Sequence, residues 1–367
     1  MTLKQQITHN LLSIPGWRTK RHIVVIESDD WGSIRMPSVS TYERLLNRGV
    51  KLGKFGFEKV DTIASSDDLE KLFEVCDSFS DINGRPVVIT ANAVVANPDF
   101  HRIKEADYSE YFYEPITATM ERYYPNNSPF PLWIEGLNRG VFYPQLHGRE
   151  HVNVPMWMNS LRKNHPGARE AFDCGVFSFT VEKTIDIREK NTSSYYYLSE
   201  PELEFDKQSI IESATMFKDL FGYSSKSFIA PSYKWDEHIE KTLSEVGVKY
   251  LQGLLVHYSK GKRCINPIGR RNRYGQIYLN RNVFFECSQN PSYDWIGDAL
   301  QRIDIAFRWK KPVTICAHRL NFIGALSAKN RDETLVKFKK LLMLIQKTWP
   351  DVEFMTSHEL GELILNE

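Results

Sequence analysis

Short runs of β-branched and aromatic residues alternate with longer amphipathic segments along the whole chain. Nine runs predict β-strands, at 22–27, 86–91, 141–146, 175–180, 226–230, 248–252, 283–287, 312–317 and 352–356. Apolar residues at helical spacing predict helices over 66–79, 200–221, 235–246 and 332–347. Strands that are apolar on both faces and are followed by helices are typical of a parallel sheet. Seven or eight such units without an intervening linker predict a closed or nearly closed β/α barrel. A doubly wound open sheet is the alternative, although no phosphate-binding glycine motif follows any strand.

The composition is ordinary for a globular enzyme and gives no sign of a polyanionic partner. Apolar residues make up 42% of the 367 positions, and the net charge is +1, so neither nucleic acid nor a membrane surface is an expected partner. The five cysteines form no C-x-x-C pair, and Cys287 and Cys316 lie in apolar runs typical of buried thiols. With no signal-like or membrane-spanning stretch, we expect one cytoplasmic domain over residues 1–367, with insertions near 105–140 and 181–200.

Polar residues follow the predicted strands at the point where each strand ends. They are Asp29 and Asp30, Asn92, His147, Ser232 and Tyr233, and His318. The carboxyl ends of the strands of a β/α barrel meet at one mouth, where active sites of this fold lie. We therefore expect these residues, spread over nearly 300 positions, to share one pocket.

The segment LHGREHVNV predicts part of a metal site. Its two histidines, His147 and His151, have the i, i+4 spacing that presents both imidazoles on one side of a helical turn. With one carboxylate from Asp30 they would hold one divalent metal and leave positions open for water and substrate. Zinc suits this donor set, and Co, Mn, Ni or Fe would also be accepted in an octahedral site. Glu150 is either a fourth ligand or an outer neighbour.

Three carboxylates, Glu27, Asp29 and Asp30, fall within four positions and must be compensated. A cation bound by Asp30 would let Asp29 stay ionised and take a proton from a water molecule. The alternative is that the aspartates cap a following helix. His318 is expected to act as a general acid because its ordinary pKa is near neutrality, the alternative being a hydrogen-bonded core histidine.

These residues, in this order, resemble the motifs of the polysaccharide deacetylase superfamily, the NodB-homology or carbohydrate esterase 4 proteins. Its first motif is similar to Ser28-Asp29-Asp30, and its second to His147-Gly148-Arg149-Glu150-His151, where glycine replaces a hydroxyl residue. Its last motif is similar to Ile315-Cys316-Ala317-His318. The resemblance implies a distorted, incompletely closed (β/α)7–8 barrel, with Asp29 as base, Asp30, His147 and His151 as metal ligands, and His318 as acid.

Two motifs of the superfamily are met only in part. The third, R-x-P-[Y/F], is half met by residues 229–233, and no arginine stands where the family has the one that holds the base. Arg149, Arg319 or Lys234 are the candidates to replace it. The fourth, centred on Asp-Trp, is echoed by Asp294-Trp295.

The sequence thus predicts a metal-dependent hydrolase that removes an acyl group, N-acetyl above all, from a carbohydrate. Trp31, Asn92 and Tyr233 are predicted to bind substrate, and a backbone N–H near Tyr233 to hold the oxyanion. One alternative is a metal-independent barrel glycosidase that uses two carboxylates from Asp29, Asp30 and Glu286. The other is a degenerate barrel that binds carbohydrate without turnover through Trp31, Trp133, Trp157 and Tyr233.

Overall fold

A computed structural model describes residues 2–50, 52, 57–178, 192–259 and 262–367. Its strands are β1 (Ile23–Trp31), β2 (Ile89–Ala93), β3 (Ala96–Pro98), β4 (Tyr113–Pro115), β5 (Phe142–Leu146), β6 (Ser227–Phe228), β7 (Tyr250–Gly253), β8 (Val256–Ser259), β9 (Lys262–Ile265), β10 (Ile277–Asn280), β11 (Val283–Phe284), β12 (Val313–His318) and β13 (Glu353–Met355). Its helices are α1 (Leu3–Leu12), α2 (Val39–Asn47), α3 (Phe57–Val60), α4 (Ser66–Asp77), α5 (Phe100–Glu105), α6 (Ile116–Tyr123), α7 (Phe130–Arg139), α8 (Val154–Arg162), α9 (Pro166–Asp173), α10 (Glu200–Phe221), α11 (Glu237–Glu245), α12 (Trp295–Arg308), α13 (Ala328–Thr348) and α14 (Ser357–Asn366).

The main sheet is parallel and curls into an incompletely closed barrel, as the resemblance implied. Its strand order is β10-β7-β6-β5-β2-β1-β12-β11, and β13 pairs with the first residues of β1. Within the described residues no ladder joins β10 to β11, so the barrel stays open between these two strands. Arg281 and Asn282, the two residues that connect β10 to β11, therefore lie at this opening.

The strand β1 is buried on both faces, which explains its run of β-branched residues. Val24 and Ile26 belong to the large core cluster, whereas Ile23 and Val25 pack in a smaller cluster with residues of β7, β10 and α14. Alternate side chains of a strand point to opposite faces, so the strand needs apolar residues at every position. Cys287 and Cys316 are buried, as predicted.

Most of the predicted elements are confirmed, with differences where runs are short. The helix α10 spans Glu200–Phe221 as predicted and ends at Gly222, which adopts a left-handed φ of 77°. The predicted strand at 175–180 is wrong for residues 175–178, and 179–180 lie outside the described residues. The strand β10 was not predicted. In the stretch 105–140 the structure has β4, α6 and α7, whereas residues 181–191 lie outside the described part of the chain.

None of the helices described is both long enough and apolar enough to cross a lipid bilayer.

Candidate active site

A β-bulge at the end of β1 brings two consecutive carboxylates, Asp29 and Asp30, into one site. Asp29 pairs with His318 in the register between β1 and β12, whereas the register between β1 and β2 shifts between Ser28 and Trp31. Asp30 has a left-handed φ of 73°, a conformation that aspartate tolerates better than most residues. The alternative that the pair caps a helix is wrong, because β1 continues to Trp31 and the next helix is capped by Ser38.

Asp30, His147 and His151 come together as the predicted metal-ligand group. All three side chains are buried, and one potential ligand atom of each lies within 4.8 Å of the others. The Asp30 Oδ1 atom is 3.0 Å from Nε2 of His151 and 3.4 Å from Nε2 of His147. The set of two nitrogens and one oxygen is typical of a catalytic zinc site.

The protonation states of this group suit a cation. The Nδ1–H group of His147 donates to the Ile229 carbonyl oxygen at 2.8 Å, so Nε2 is the nitrogen that faces Asp30. That Nε2 is buried and has no hydrogen-bond partner among the described residues. Burial lowers the pKa of His151 to about 4, so its imidazole is neutral. Although burial opposes ionisation of Asp30, His151 and Arg35 hold its pKa well below the ordinary value.

The loop 147–151 is irregular, so the predicted helical turn is wrong although both histidines reach the site. Gly148 has a φ of 106°, and a Cβ atom there would overlap the hydroxyl of Tyr195. This overlap is a physical reason for glycine in place of the hydroxyl residue of the superfamily motif. Glu150 is not in the ligand group, because its carboxylate receives two hydrogen bonds from Arg149, at 2.6 and 3.0 Å.

Arg281 holds the carboxylate of Asp29, so the predicted candidates for this role are wrong. Its Nη1 and Nη2 atoms donate to the two oxygens of Asp29 at 2.5 and 2.7 Å, and its Nε donates to Glu27. The Asn92 amide donates to Asp29 Oδ1 at 2.8 Å, so Asn92 positions the carboxylate. Although burial would raise the pKa of Asp29, Arg281 lowers it far below the ordinary range.

The three candidates for that arginine have other neighbours. Arg149 binds Glu150 and Glu212, and Arg319 binds Asp61. Lys234 makes no hydrogen bond to Asp29 among the described residues. The signal for Arg281 in the sequence was a lone cation inside the apolar run IYLNRNVFF, which the structure places at the opening between β10 and β11.

His318 forms a hydrogen-bonded pair with Glu286, a partner that the motifs did not indicate. Its Nδ1 lies 2.6 Å from Glu286 Oε1, and its Nε2 lies 4.0 Å from Asp29 Oδ2. The second oxygen of Glu286 accepts a hydrogen bond from Asn321 at 2.9 Å, which fixes the carboxylate. Burial opposes protonation of His318, but Glu286 raises its pKa to about 9. At neutral pH, therefore, Asp29 is ionised and His318 carries a proton.

A cleft of about 500 Å³ opens onto His318 and is lined partly by aromatic side chains. Tyr233, Tyr293 and Trp295 are among its walls, and the Tyr233 hydroxyl accepts a hydrogen bond from Arg281 at 2.8 Å. The N–H group of Tyr233 itself donates to the Ala230 carbonyl oxygen at 3.0 Å, so the predicted oxyanion donor near Tyr233 would have to be another backbone N–H group. Asp294 caps α12 and is not the partner of His318.

Three tryptophans that were considered for carbohydrate binding lie in the core instead. Trp31, Trp133 and Trp157 are each at most 1% exposed. Trp31 packs edge-on against Trp133 and Phe142, and its Nε1 donates to Ser28 Oγ at 2.9 Å. The degenerate-barrel alternative therefore loses three of its four aromatic residues.

Comparisons with known proteins show a likeness of fold. No protein-family model and no curated protein sequence matches the chain. A solved structure from Parabacteroides distasonis, provisionally named a glycoside hydrolase/deacetylase, is 9% identical with a TM-score of 0.53, covering 95% of this chain and 72% of its own. A provisionally named polysaccharide deacetylase from Mycobacterium smegmatis is 10% identical with a TM-score of 0.46, covering 96% and 93%. A 4-alpha-glucanotransferase from Thermococcus litoralis is 9% identical with a TM-score of 0.47, covering 95% of this chain, which spans 40% of that protein. At 9% identity the likeness to the Parabacteroides distasonis structure supports the barrel fold alone.

Proposed function

We propose that this protein is a metal-dependent hydrolase that removes an N-acetyl group from a carbohydrate. The observation that carries the proposal is the buried group of Asp30, His147 and His151, in which a correctly oriented His147 nitrogen lacks a hydrogen-bond partner among the described residues. An unsatisfied buried nitrogen is costly unless it binds a ligand, and this one faces the Asp30 carboxylate beside the neutral imidazole of His151. These residues therefore fit a divalent cation, and zinc is our proposal for its identity.

A cation held by these ligands would supply Lewis acidity, polarising an acyl oxygen and lowering the pKa of a water molecule. Asp29 is fixed by Arg281 and Asn92 as an ionised carboxylate, and it would accept the proton of the attacking water. His318 is held in the protonated form by Glu286 and would give its proton to the departing nitrogen. Two groups whose pKa values are pushed in opposite directions are the usual sign of an acid and base pair.

The arrangement favours hydrolysis with a metal over the glycosidase alternative. Both oxygens of Asp29 are held by Arg281, and Asp30 faces two histidines. Glu286 is bonded to His318 and Asn321. Arg281 lowers the pKa of Asp29, and His151 and Arg35 lower that of Asp30, so neither aspartate is the protonated acid that the two-carboxylate mechanism requires.

Acetate release from N-acetylated oligosaccharides, measured with added zinc and with a chelator, tests the proposal. We expect hydrolysis with zinc, about one tightly bound metal per chain, and loss of both metal and activity in His147→Ala. The matched control is His101→Ala, which alters a histidine whose side chain is 81% exposed on α5 and should keep both. Equal rates with zinc and with chelator, or full metal binding by His147→Ala, would contradict the proposal.

A further inference from the structure

A second set of metal-ligating side chains surrounds His318. Glu286, Cys316 and His318 each present one potential ligand atom, and these atoms lie within 4.8 Å of one another. The Glu286 Oε1 atom is 2.6 Å from His318 Nδ1 and 3.7 Å from Cys316 Sγ. Cys316 and His318 stand two positions apart on β12 and so share one face of the strand. Because β11 pairs with β12 at Phe284 and Cys316, the sheet itself fixes the place of Glu286.

These three side chains border a cleft that opens to solvent. All of them line this cleft of about 500 Å³, where the His318 side chain is 20% exposed, whereas Glu286 and Cys316 are 5% and 1% exposed. A thiol, a carboxylate and an imidazole form a donor set for zinc and for softer divalent ions. Sulfur and oxygen bound to one zinc ion at a tetrahedral angle lie roughly 3.5 Å apart, close to the separation of Cys316 and Glu286. The imidazole would have to move away from the carboxylate by roughly 0.7 Å.

We propose that Glu286, Cys316 and His318 form a second, inhibitory site for a thiophilic divalent cation such as Zn²⁺ or Cd²⁺. On binding, the Cys316 thiol and the His318 imidazolium each give one proton to solvent. The sulfur would then bond to the ion, and the freed Nδ1 of His318 would give it a lone pair. His318 is then no longer the imidazolium that gives a proton to a leaving group. Binding at this site is independent of the proposed function, whereas the inhibition rests on it.

The second site is weaker than the site at Asp30. Arg281 Nη1 lies 3.2 Å from Cys316 Sγ, and its positive charge opposes a second cation. That charge is partly offset by the carboxylates of Glu27 and Asp29. The same metal is therefore expected to activate at low concentration and to inhibit at higher concentration.

Cadmium titration of the full-length, chelator-treated protein separates the two sites by spectroscopy. Cadmium at Asp30, His147 and His151 has no sulfur ligand, so the ultraviolet sulfur-to-cadmium band reports the second site. We expect the band to appear with the second equivalent, to be lost in Cys316→Ser and to persist in Cys264→Ser, which alters a partly exposed thiol on β9. Glu286→Gln keeps the thiol and should weaken the second binding by at least about tenfold.

A sulfur-to-cadmium band of unchanged size in Cys316→Ser would refute the proposed second site. Unchanged affinity of Glu286→Gln for the second equivalent of cadmium would also refute it. The Glu286→Gln measurement also decides the matter if Cys316→Ser fails to fold. The activity of each protein is followed relative to its own rate at one equivalent of zinc. We expect at least tenfold inhibition of the wild type by excess cadmium, and much less in Cys316→Ser. If the sulfur-to-cadmium band appears but no hydrolysis is found under any condition, the proposed function is refuted and the proposed second site is not. If hydrolysis is found but the band is absent, only the second site is refuted.

Discussion

Arg281→Met removes one guanidinium from two buried carboxylates. Glu27 and Asp29 are 1% and 4% exposed, and Arg281 makes charge-assisted hydrogen bonds to both. Loss of one partner from a buried ion pair costs about 3–5 kcal/mol, because the remaining charge is uncompensated. We expect the free energy of unfolding to fall by this amount near neutral pH.

The loss should depend on pH in a defined direction. Arg281 lowers the pKa of Asp29 in the folded state, so this contribution is present above the ordinary value of 3.8. This contribution to the free energy of unfolding disappears as the pH falls through the lower folded-state pKa of Asp29. Below that pH the carboxylate is protonated in the folded and in the unfolded protein. The difference in unfolding free energy between the wild type and Arg281→Met should therefore narrow at acidic pH.

Arg281→Lys separates the charge from its geometry. Lysine keeps a positive charge but cannot bind both oxygens of Asp29 while also reaching Glu27. We expect it to recover part of the stability, losing about 1.5–3 kcal/mol, the value of one hydrogen bond to a charged group. Its rate of acetate release should still fall on the order of 10²-fold, because the base is no longer held in place.

Urea unfolding followed by circular dichroism, together with acetate release, measures both effects. Arg308→Met is the matched control, since it removes an arginine from an exposed pair with Asp304 and should change the free energy of unfolding by less than about 1 kcal/mol. If Arg281→Met unfolds like this control and hydrolyses substrate within threefold of the wild type, Arg281 does not hold the base.

Three further predictions follow from other contacts in the site. Because Glu286 raises the pKa of His318 to about 9, kcat/KM should fall as the pH rises through about 9. In Glu286→Gln this fall should begin at a lower pH, toward 6.5, and an unchanged pH profile would show that Glu286 does not set the pKa of His318. Trp31→Ala should lower the free energy of unfolding by about 3–5 kcal/mol with KM unchanged for the folded fraction, whereas a raised KM in a stable protein would restore the substrate-binding role. Gly148→Ser should lower both the melting temperature and the zinc affinity, measured by calorimetry, because the side chain meets Tyr195 at a left-handed φ; tolerance of the serine would show that the loop can adjust.

The barrel was predictable because its strands are apolar on both faces and its long helices end at clear signals. The run Ile23–Ile26 is buried on alternating sides, and Gly222 ends α10 at the expected residue. The strand β10 was missed because its apolar run is only three residues long and is followed by the polar residues Asn280, Arg281 and Asn282.

The candidate metal ligands could be predicted because Asp30 is near the end of β1 and His147 directly follows β5, at the edge where the barrel fold brings strand ends together. Arg281 could not be predicted as the partner of Asp29, because it lies at the opening between β10 and β11. The sequence gives no periodic signal for the place at which a barrel stays open. The tryptophans were assigned wrongly for a related reason. An aromatic side chain suits a core and a sugar equally well, and only the packing of Trp31 against Trp133 decides between them.

The bulge in β1 explains how adjacent aspartates can have the different roles proposed for them. In a regular strand Asp29 and Asp30 would point to opposite faces, and only one would reach the mouth of the barrel. The left-handed φ of Asp30 costs on the order of 1–3 kcal/mol, so it persists only where the surrounding contacts hold it. Those contacts also separate the two carboxylates, since Asp29 is bound by Arg281, whereas Asp30 faces the two histidines and accepts a hydrogen bond from Arg35 at 3.0 Å. The bulge therefore gives each aspartate its own partners, as the proposed roles of metal ligand and fixed base require.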